Sequence, residues 1–324
     1  MVVKGLYMAK KKILLLSDDL RMSSGVGTMS REFVLGTLKH YDWVQVGGAI
    51  KHPDEGKIID MNESVRKDTG IKDAYLKIYP TSGYGNPDMI RQIINMENGV
   101  DAILHYTDPR FWGWLYQMEH ELRRTTPIFY YNIWDDLPYP RWNEPFYESC
   151  DLIMNISKQT VNIVDNVCQI KPRTDWDNTY IPHGINENNF YPIDSSHKDW
   201  GDLLQFKRNV TNGKDYKYIV FWNNRNIRRK LPGDVIMAYK QFCDMLPKEE
   251  ADKCALIMHT QPRDENGTDL PEVVKQCCPN YDVIFSHQKL SDKELCFLYN
   301  IADVTMNMAS NEGFGLGTCE ALMC

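Results

Sequence analysis

Two carboxylates, Glu312 and Glu320, stand eight positions apart near the end of the chain, in Ser310-Asn311-Glu312-Gly313-Phe314-Gly315-Leu316-Gly317-Thr318-Cys319-Glu320. Gly313, Gly315 and Gly317 let the backbone approach a ligand closely. The apolar run Val304 to Ala309 precedes them and the helix-forming tail Glu320-Ala321-Leu322-Met323 follows. A strand, a glycine-rich loop and a helix start can hold a phosphate on backbone N–H groups at the positive helix end. Glu320 could then accept hydrogen bonds from ribose hydroxyls, as acidic residues do in dinucleotide sites. Matching chemistry stands further upstream. Arg225-Asn226-Ile227-Arg228-Arg229-Lys230 sets four cations directly after the apolar run Tyr218–Trp222. Arg grips phosphate oxygens in bidentate fashion and Lys acts as a point charge, so the cluster suits two phosphates.

Two further groups carry weaker signals. Gly25 and Gly27, in the turn Ser23-Ser24-Gly25-Val26-Gly27, follow a first strand and could turn backbone N–H groups toward a ligand. A tight strand-to-helix turn is the competing reading. His105, Asp108, Asp135 and Asp136 fall at strand ends, beside Trp112, Trp134, Tyr139 and Trp142. Aromatics beside carboxylates hold sugar rings by stacking and hydrogen bonding, although core and rim packing would use the same residues. His183, in Pro182-His183-Gly184, reads as a satisfied structural histidine.

Short apolar runs alternate with helical patterns, which predicts α/β units with parallel strands. Strands are expected at Ile13–Ser17, Val44–Ile50, Ala102–Tyr106, Ile128–Ile133, Leu152–Ile156 and Thr179–Pro182, with helices at Thr28–Leu38 and from Ser157 through Val167. Residues 186–215 are polar and read as a linker or surface excursion. The rhythm restarts with strands at Tyr218–Trp222, Ala255–Met258, Val283–Phe285 and Asp303–Ala309, and helices at Asp234–Leu246, Pro271–Cys277 and Ser291–Asn300. A chain of 324 residues has room for about two domains, here 1–190 and 191–324. Ligands of such sheets bind beyond the carboxyl ends of the strands.

Composition narrows the classes. A net charge of −7 argues against general nucleic-acid binding, which needs a basic face. No apolar run approaches the roughly 18 residues of a membrane span. Peripheral membrane contact stays open. The nine cysteines lack metal-ligand spacing and read as free thiols of a reducing, cytoplasmic compartment. Met8 is a candidate start, which would make the first seven residues an appendage.

These pieces resemble the retaining glycosyltransferases of the GT-B type that use nucleoside-diphosphate sugars, the E-x7-E group (glycosyltransferase family 4). Ser24-Gly25-Val26-Gly27 resembles the family's glycine loop, and Cys150 to Ser157 its strand before a capping serine. Ile181-Pro182-His183-Gly184-Ile185-Asn186 resembles its hinge. Leu290 to Leu295 with Tyr299 and Ala302-Asp303-Val304 resembles the run before its motif, and Glu312 through Glu320 is the motif itself. The resemblance implies two Rossmann-like domains facing each other across a cleft. It implies that Arg225 and Lys230 hold the donor diphosphate, that Glu320 holds the ribose, and that Glu312 lies against the donor sugar. Gly313, Phe314, Gly315 and Leu316 would line sugar and phosphate, and Gly25 and Gly27 would approach from the first domain. Glu312 and Asp108 are the candidate catalytic carboxylates. His105, Trp134 and Asp135 are candidates on the acceptor side.

The chain departs from the family at several points. Asn224 and Leu231-Pro232 stand where glycines flank the Arg and Lys, and Thr107 stands where many members have histidine. Members also continue past the motif, so the second domain is expected to be incomplete and the chain a fragment. The reading that follows is a metal-independent sugar transfer to an acceptor hydroxyl, with no cofactor beyond the donor and an unidentified acceptor. A non-catalytic nucleotide-sugar or glycan-binding protein, and a nucleotide-sugar epimerase of the same fold, are the alternatives. A nicotinamide oxidoreductase is disfavoured, because the Gly25-Val26-Gly27 loop lacks the third glycine of that fingerprint.

Overall fold

The computed structural model describes residues 9–49 and 51–324. Met8 and Ile50, a candidate start and an expected strand end, lie outside the described residues. The chain divides into two compact units, Met1–His183 and Gly184–Cys324.

The first unit is built on strands β1 (Lys11–Asp18), β2 (Tyr41–Ala49), β3 (Ile59–Asp60), β4 (Leu76–Ser82), β5 (Ala102–Tyr106), β6 (Ile128–Asn132), β7 (Leu152–Asn155) and β8 (Asn178–Tyr180). Their order in the sheet is β3-β4-β2-β1-β5-β6-β7-β8. Every neighbouring pair is parallel except β3 with β4. Strands covered on both faces must be apolar throughout, and Leu14, Leu15 and Leu16 of β1 are accordingly buried. Crossover helices begin where a side chain can satisfy the first free N–H groups. Ser24 caps Gly25–Thr37, Asn86 caps Pro87–Met96, and Ser157 caps Lys158–Val167.

The second unit carries β9 (Tyr218–Asn223), β10 (Cys254–His259), β11 (Asp282–Ser286) and β12 (Val304–Thr305), in the order β11-β10-β9-β12, all parallel. Alternation along β9 feeds two cores. Ile219 and Phe221 pack with Ile257 and Leu298 on one face. Val220 and Trp222 pack with Val235 and Leu256 on the other. In both sheets the chain winds outward one way and then returns to the other side of the first strand. The order therefore reverses between β1 and β5, and again between β9 and β12.

Several expectations need correction. Gly25 and Gly27 lie in the first turn of a helix, since Gly25–Thr37 starts three residues before Thr28. The supposed linker holds the helix Trp200–Val210, whose residues 200, 203, 206 and 210 turn an apolar stripe to the core. The last strand is only Val304–Thr305. Residues 184–190 group with the second unit, because Phe190 and Ile193 sit in its core. Strand β4 went unread because Pro80 interrupts it. Pro80 lies beyond the two residues of β3, where no ladder donor is required on that side.

The helix Asp292–Ile301 packs behind β9 and starts with a complete capping box between Ser291 and Glu294. Ser291→Ala should lower stability by about 1 kcal/mol. Chemical denaturation measures it, and an unchanged midpoint would show that the cap contributes nothing.

Candidate functional site

The reversal between β9 and β12 brings two loops of the second unit together. One follows β9 and carries the basic cluster, and the other follows β12 and carries Glu312. Lys230, only 6% exposed, forms an ion pair with Glu312. Arg229 approaches the same carboxylate at 3.9 Å and donates to the Asn311 carbonyl at 2.9 Å. The Ser310 backbone N–H in turn donates to the Arg229 carbonyl at 2.9 Å. The basic cluster and the loop carrying Ser310, Asn311 and Glu312 thus form one stitched surface at the carboxyl edge of the sheet.

Other contacts fix the cluster's shape. Asn226, fully buried, donates its amide to the Thr268 carbonyl at 2.6 Å and to the Gln261 and Pro262 carbonyls at 3.2 and 3.3 Å. A Cβ on Gly267 would lie 2.1 Å from the Asn226 carbonyl, so only glycine admits this approach. Arg225 points outward, 61% exposed, and binds Asp264 at 3.0 Å. Asp264 keeps the guanidinium extended, and the guanidinium holds the Asp264 carboxyl below its ordinary range. Leu231 takes φ +49, the left-handed region that glycine adopts without cost. That backbone demand survives where the family resemblance expects glycine.

Gly315 takes φ +80 and precedes the helix Leu316–Met323. This helix starts four residues before Glu320 and so sets Glu320 about one turn in, as the sequence suggests. Gly313 and Phe314 lie half-buried in the loop, and Leu316 opens the helix. Glu320 accepts from the Tyr299 hydroxyl at 2.7 Å, and Tyr299 accepts from the Asn223 amide at 2.8 Å. Burial pushes the Glu320 carboxyl above its ordinary range while the Tyr299 hydrogen bond pulls it back. The chain Asn223–Tyr299–Glu320 holds that carboxylate from below. Sequence reasoning missed Asn223, Asn226, Arg229 and Asp264 as positioning residues. Their only signal was position beside a cation or at a strand end.

The first-unit candidates separate. His105 is fully buried, with Nδ1 2.6 Å from the Tyr116 hydroxyl and Nε2 3.0 Å from the Thr107 hydroxyl. It stacks on Tyr130 at 5.0 Å. This makes it a core residue and corrects its assignment to the acceptor side. His183 bonds the hydroxyls of Tyr131 and Tyr106 at 2.9 and 3.2 Å, as a satisfied structural histidine does. Asp108 caps the short turn Pro109–Trp112 and binds Arg110. Arg110 lies 5.3 Å over the Trp134 ring. Asp135 is half-buried between Trp134 and the exposed Asp136. Gly27 packs against carbonyl oxygens, since a Cβ there would lie 2.7 Å from the Met22 oxygen, while Gly25 opens the same helix. Among the described residues, no cluster of three or more His, Cys, Asp or Glu is arranged to hold a metal ion.

No family model and no curated protein matches the chain. Solved structures do. The E. coli "Trehalose-6-phosphate" structure bound with UDP-2-fluoro glucose has a TM-score of 0.64 at 13% identity, covering 97% of this chain and 81% of that one. An alpha,alpha-trehalose-phosphate synthase (UDP-forming) from Burkholderia xenovorans, in complex with glucose-6-phosphate, has a TM-score of 0.64 at 11% identity, covering 97% and 82%. A glycosyltransferase from Rickettsia africae has a TM-score of 0.59 at 14% identity, covering 93% and 74%. At these identities the likeness is one of fold, and the fold class is the one these structures share, Rossmann-like α/β units of the GT-B type.

Burial drives the pKa of His105 from 6.5 to about 3 and that of His183 to about 4. Both rings are neutral when folded and take a proton more readily when unfolded. Their contribution is therefore fully present above pH 6.5 and is lost as pH falls from 6.5 through about 4 for His183 and about 3 for His105. Unfolding free energy should decline across that window while imidazole NMR signals of both rings stay in the neutral form at pH about 5. A His105 titration near 6.5 would contradict the buried assignment.

Proposed function

We propose that the chain is a retaining glycosyltransferase that moves a sugar from a nucleoside-diphosphate sugar to an acceptor hydroxyl. The ion pair between Lys230 and Glu312 carries the reading, because it joins a phosphate-type cation to the carboxylate of the glycine-rich motif at one sheet edge. The fold likeness adds support, since one neighbour is bound with UDP-2-fluoro glucose and another is a UDP-forming synthase in complex with glucose-6-phosphate.

In this reading Lys230 and the outward-pointing Arg225 receive the donor diphosphate. They neutralise the charge that grows on the leaving phosphate, the role a metal ion fills elsewhere, so the reaction is metal-independent. Backbone N–H groups of Phe314 to Leu316 assist at the start of the last helix. Glu320, braced by Tyr299, accepts from the ribose hydroxyls. Glu312 orients the donor sugar and stabilises positive charge developing at the anomeric carbon. The acceptor hydroxyl forms the new C–O bond on the face the phosphate leaves, and its proton passes to the departing phosphate oxygen. Configuration is retained and no strong protein base is required. None of the nine cysteines is disulfide-bonded, which supports a reducing, cytoplasmic setting.

Lys230→Ala should abolish transfer, measured as nucleoside-diphosphate release from a panel of nucleotide sugars with and without acceptors. The fold should survive, because Glu312 keeps Arg229 at 3.9 Å and partial contact with solvent. Wild-type turnover in a folded Lys230→Ala variant would overturn the assignment. Conversion of donor without any acceptor would point instead to an epimerase.

A further inference from the structure

The donor reading rests on charged groups of the second unit, while the reversal point of the first sheet carries Asp108, a candidate from the sequence, and Asp18, Tyr84 and Phe111, which the sequence did not single out. Parallel α/β sheets bind ligands at such points, beyond the carboxyl ends of the strands. The register pairs Ser17 of β1 with Tyr106 of β5, so Asp18 and Asp108 emerge at the same edge, one and two residues past that pair. On its other side Asp18 pairs with Gly48 of β2. The Tyr84 ring lies on Gly48, where a Cβ would be 2.9 Å from Tyr84 Cδ1. Gly83 and Gly85, at φ +71 and +75, bracket Tyr84, and Trp114 Nε1 donates to its carbonyl at 3.1 Å.

The edge carries an exposed aromatic surface. Tyr84 stacks flat on Phe111, with centroids 4.9 Å apart and planes 8° from parallel. Phe111 is 56% exposed, so its outer face meets solvent. Its neighbour Arg110 lies over Trp134, which meets the exposed Trp142 at 6.1 Å. Exposed rings gathered at one edge mark a surface that a ligand can cover.

Charge says what that is. Burial pushes the Asp18 carboxyl up against its hydrogen bond from Ser24. The Tyr84 hydroxyl is pushed up by its own burial and by the charges of Asp18 and Asp108. The guanidiniums that follow these two strands are already bound, Arg21 by Asp19 and Asp54, and Arg110 by Asp108. A phosphate ester would bring about two negative charges to this edge. A neutral sugar ring would lay its apolar face on Phe111 and donate hydroxyls to the carboxylates.

We propose that the β1–β5 edge binds an uncharged saccharide, stacked on Phe111 and hydrogen-bonded by Asp18 and Asp108, and disfavours sugar phosphates. Only the role of that saccharide as acceptor rests on the proposed transfer; the binding itself does not.

Calorimetric titration of the full chain tests this, with neutral mono- and disaccharides and their phosphate esters, each with and without UDP. At least one neutral sugar should bind, and its ester should bind at least about tenfold more weakly, as should the neutral sugar to Phe111→Ala. Phe111 is exposed, so the variant should melt as wild type does. Asp18→Asn should narrow the gap between sugar and ester. Esters binding tighter than their parents, an unchanged Phe111→Ala, or no binding of any neutral sugar would each overturn the proposal. UDP binding without saccharide binding would defeat this inference alone. Saccharide binding with no nucleoside diphosphate bound would defeat the donor reading and leave this one standing.

Discussion

The second unit is organised around a charge that water barely reaches. The Lys230 ammonium is almost fully enclosed, and Glu312 is the carboxylate that meets it. Burying a cation is costly unless a partner and hydrogen bonds compensate. The loop after β12 must therefore return to the loop after β9. Further bonds hold it there, from Arg229 to Asn311 and from Ser310 to Arg229. The same enclosure makes the cation useful. A phosphate entering beside Lys230 meets an ammonium already positioned and poorly screened.

Sheet topology decides where such groups collect. In each unit the chain builds outward from the first strand, then crosses back to that strand's free side. The loops on either side of the reversal diverge and leave room at the carboxyl edge. In the second sheet that room is lined by the basic cluster and the glycine-rich motif. In the first it is lined by Asp18, Asp108, Tyr84 and Phe111. One rule thus yields a cationic edge and an acidic, aromatic edge. The difference lies wholly in the residues that follow the strands.

Much of this was legible in the sequence. Most of the parallel strands announced themselves as apolar runs and lie within a few residues of where they were expected, while β4, broken by Pro80, went unread. The family resemblance put the Arg225–Lys230 cluster and the Glu312 loop at one donor site, and in the fold Lys230 and Glu312 form an ion pair. What escaped was set by tertiary context. His105 stands at a strand end like a ligand residue, yet Tyr116 and Thr107 consume both of its nitrogens. Helix Trp200–Val210 hid among polar residues because it packs by a narrow stripe. Phe111 and Tyr84 carry no motif, and only folding brings their rings together.

The central claim is that Lys230 is the anion-binding group of the second unit and that Glu312 holds it in place without supplying that affinity. Calorimetric titration of UDP and GDP into wild type, Lys230→Ala and Glu312→Gln tests it most directly. The account predicts that Lys230→Ala weakens diphosphate binding by at least about tenfold, as loss of a charge-assisted bond should. Glu312→Gln should bind as tightly as wild type or more tightly, since a competing carboxylate is gone. Wild-type affinity in a folded Lys230→Ala protein would contradict the account.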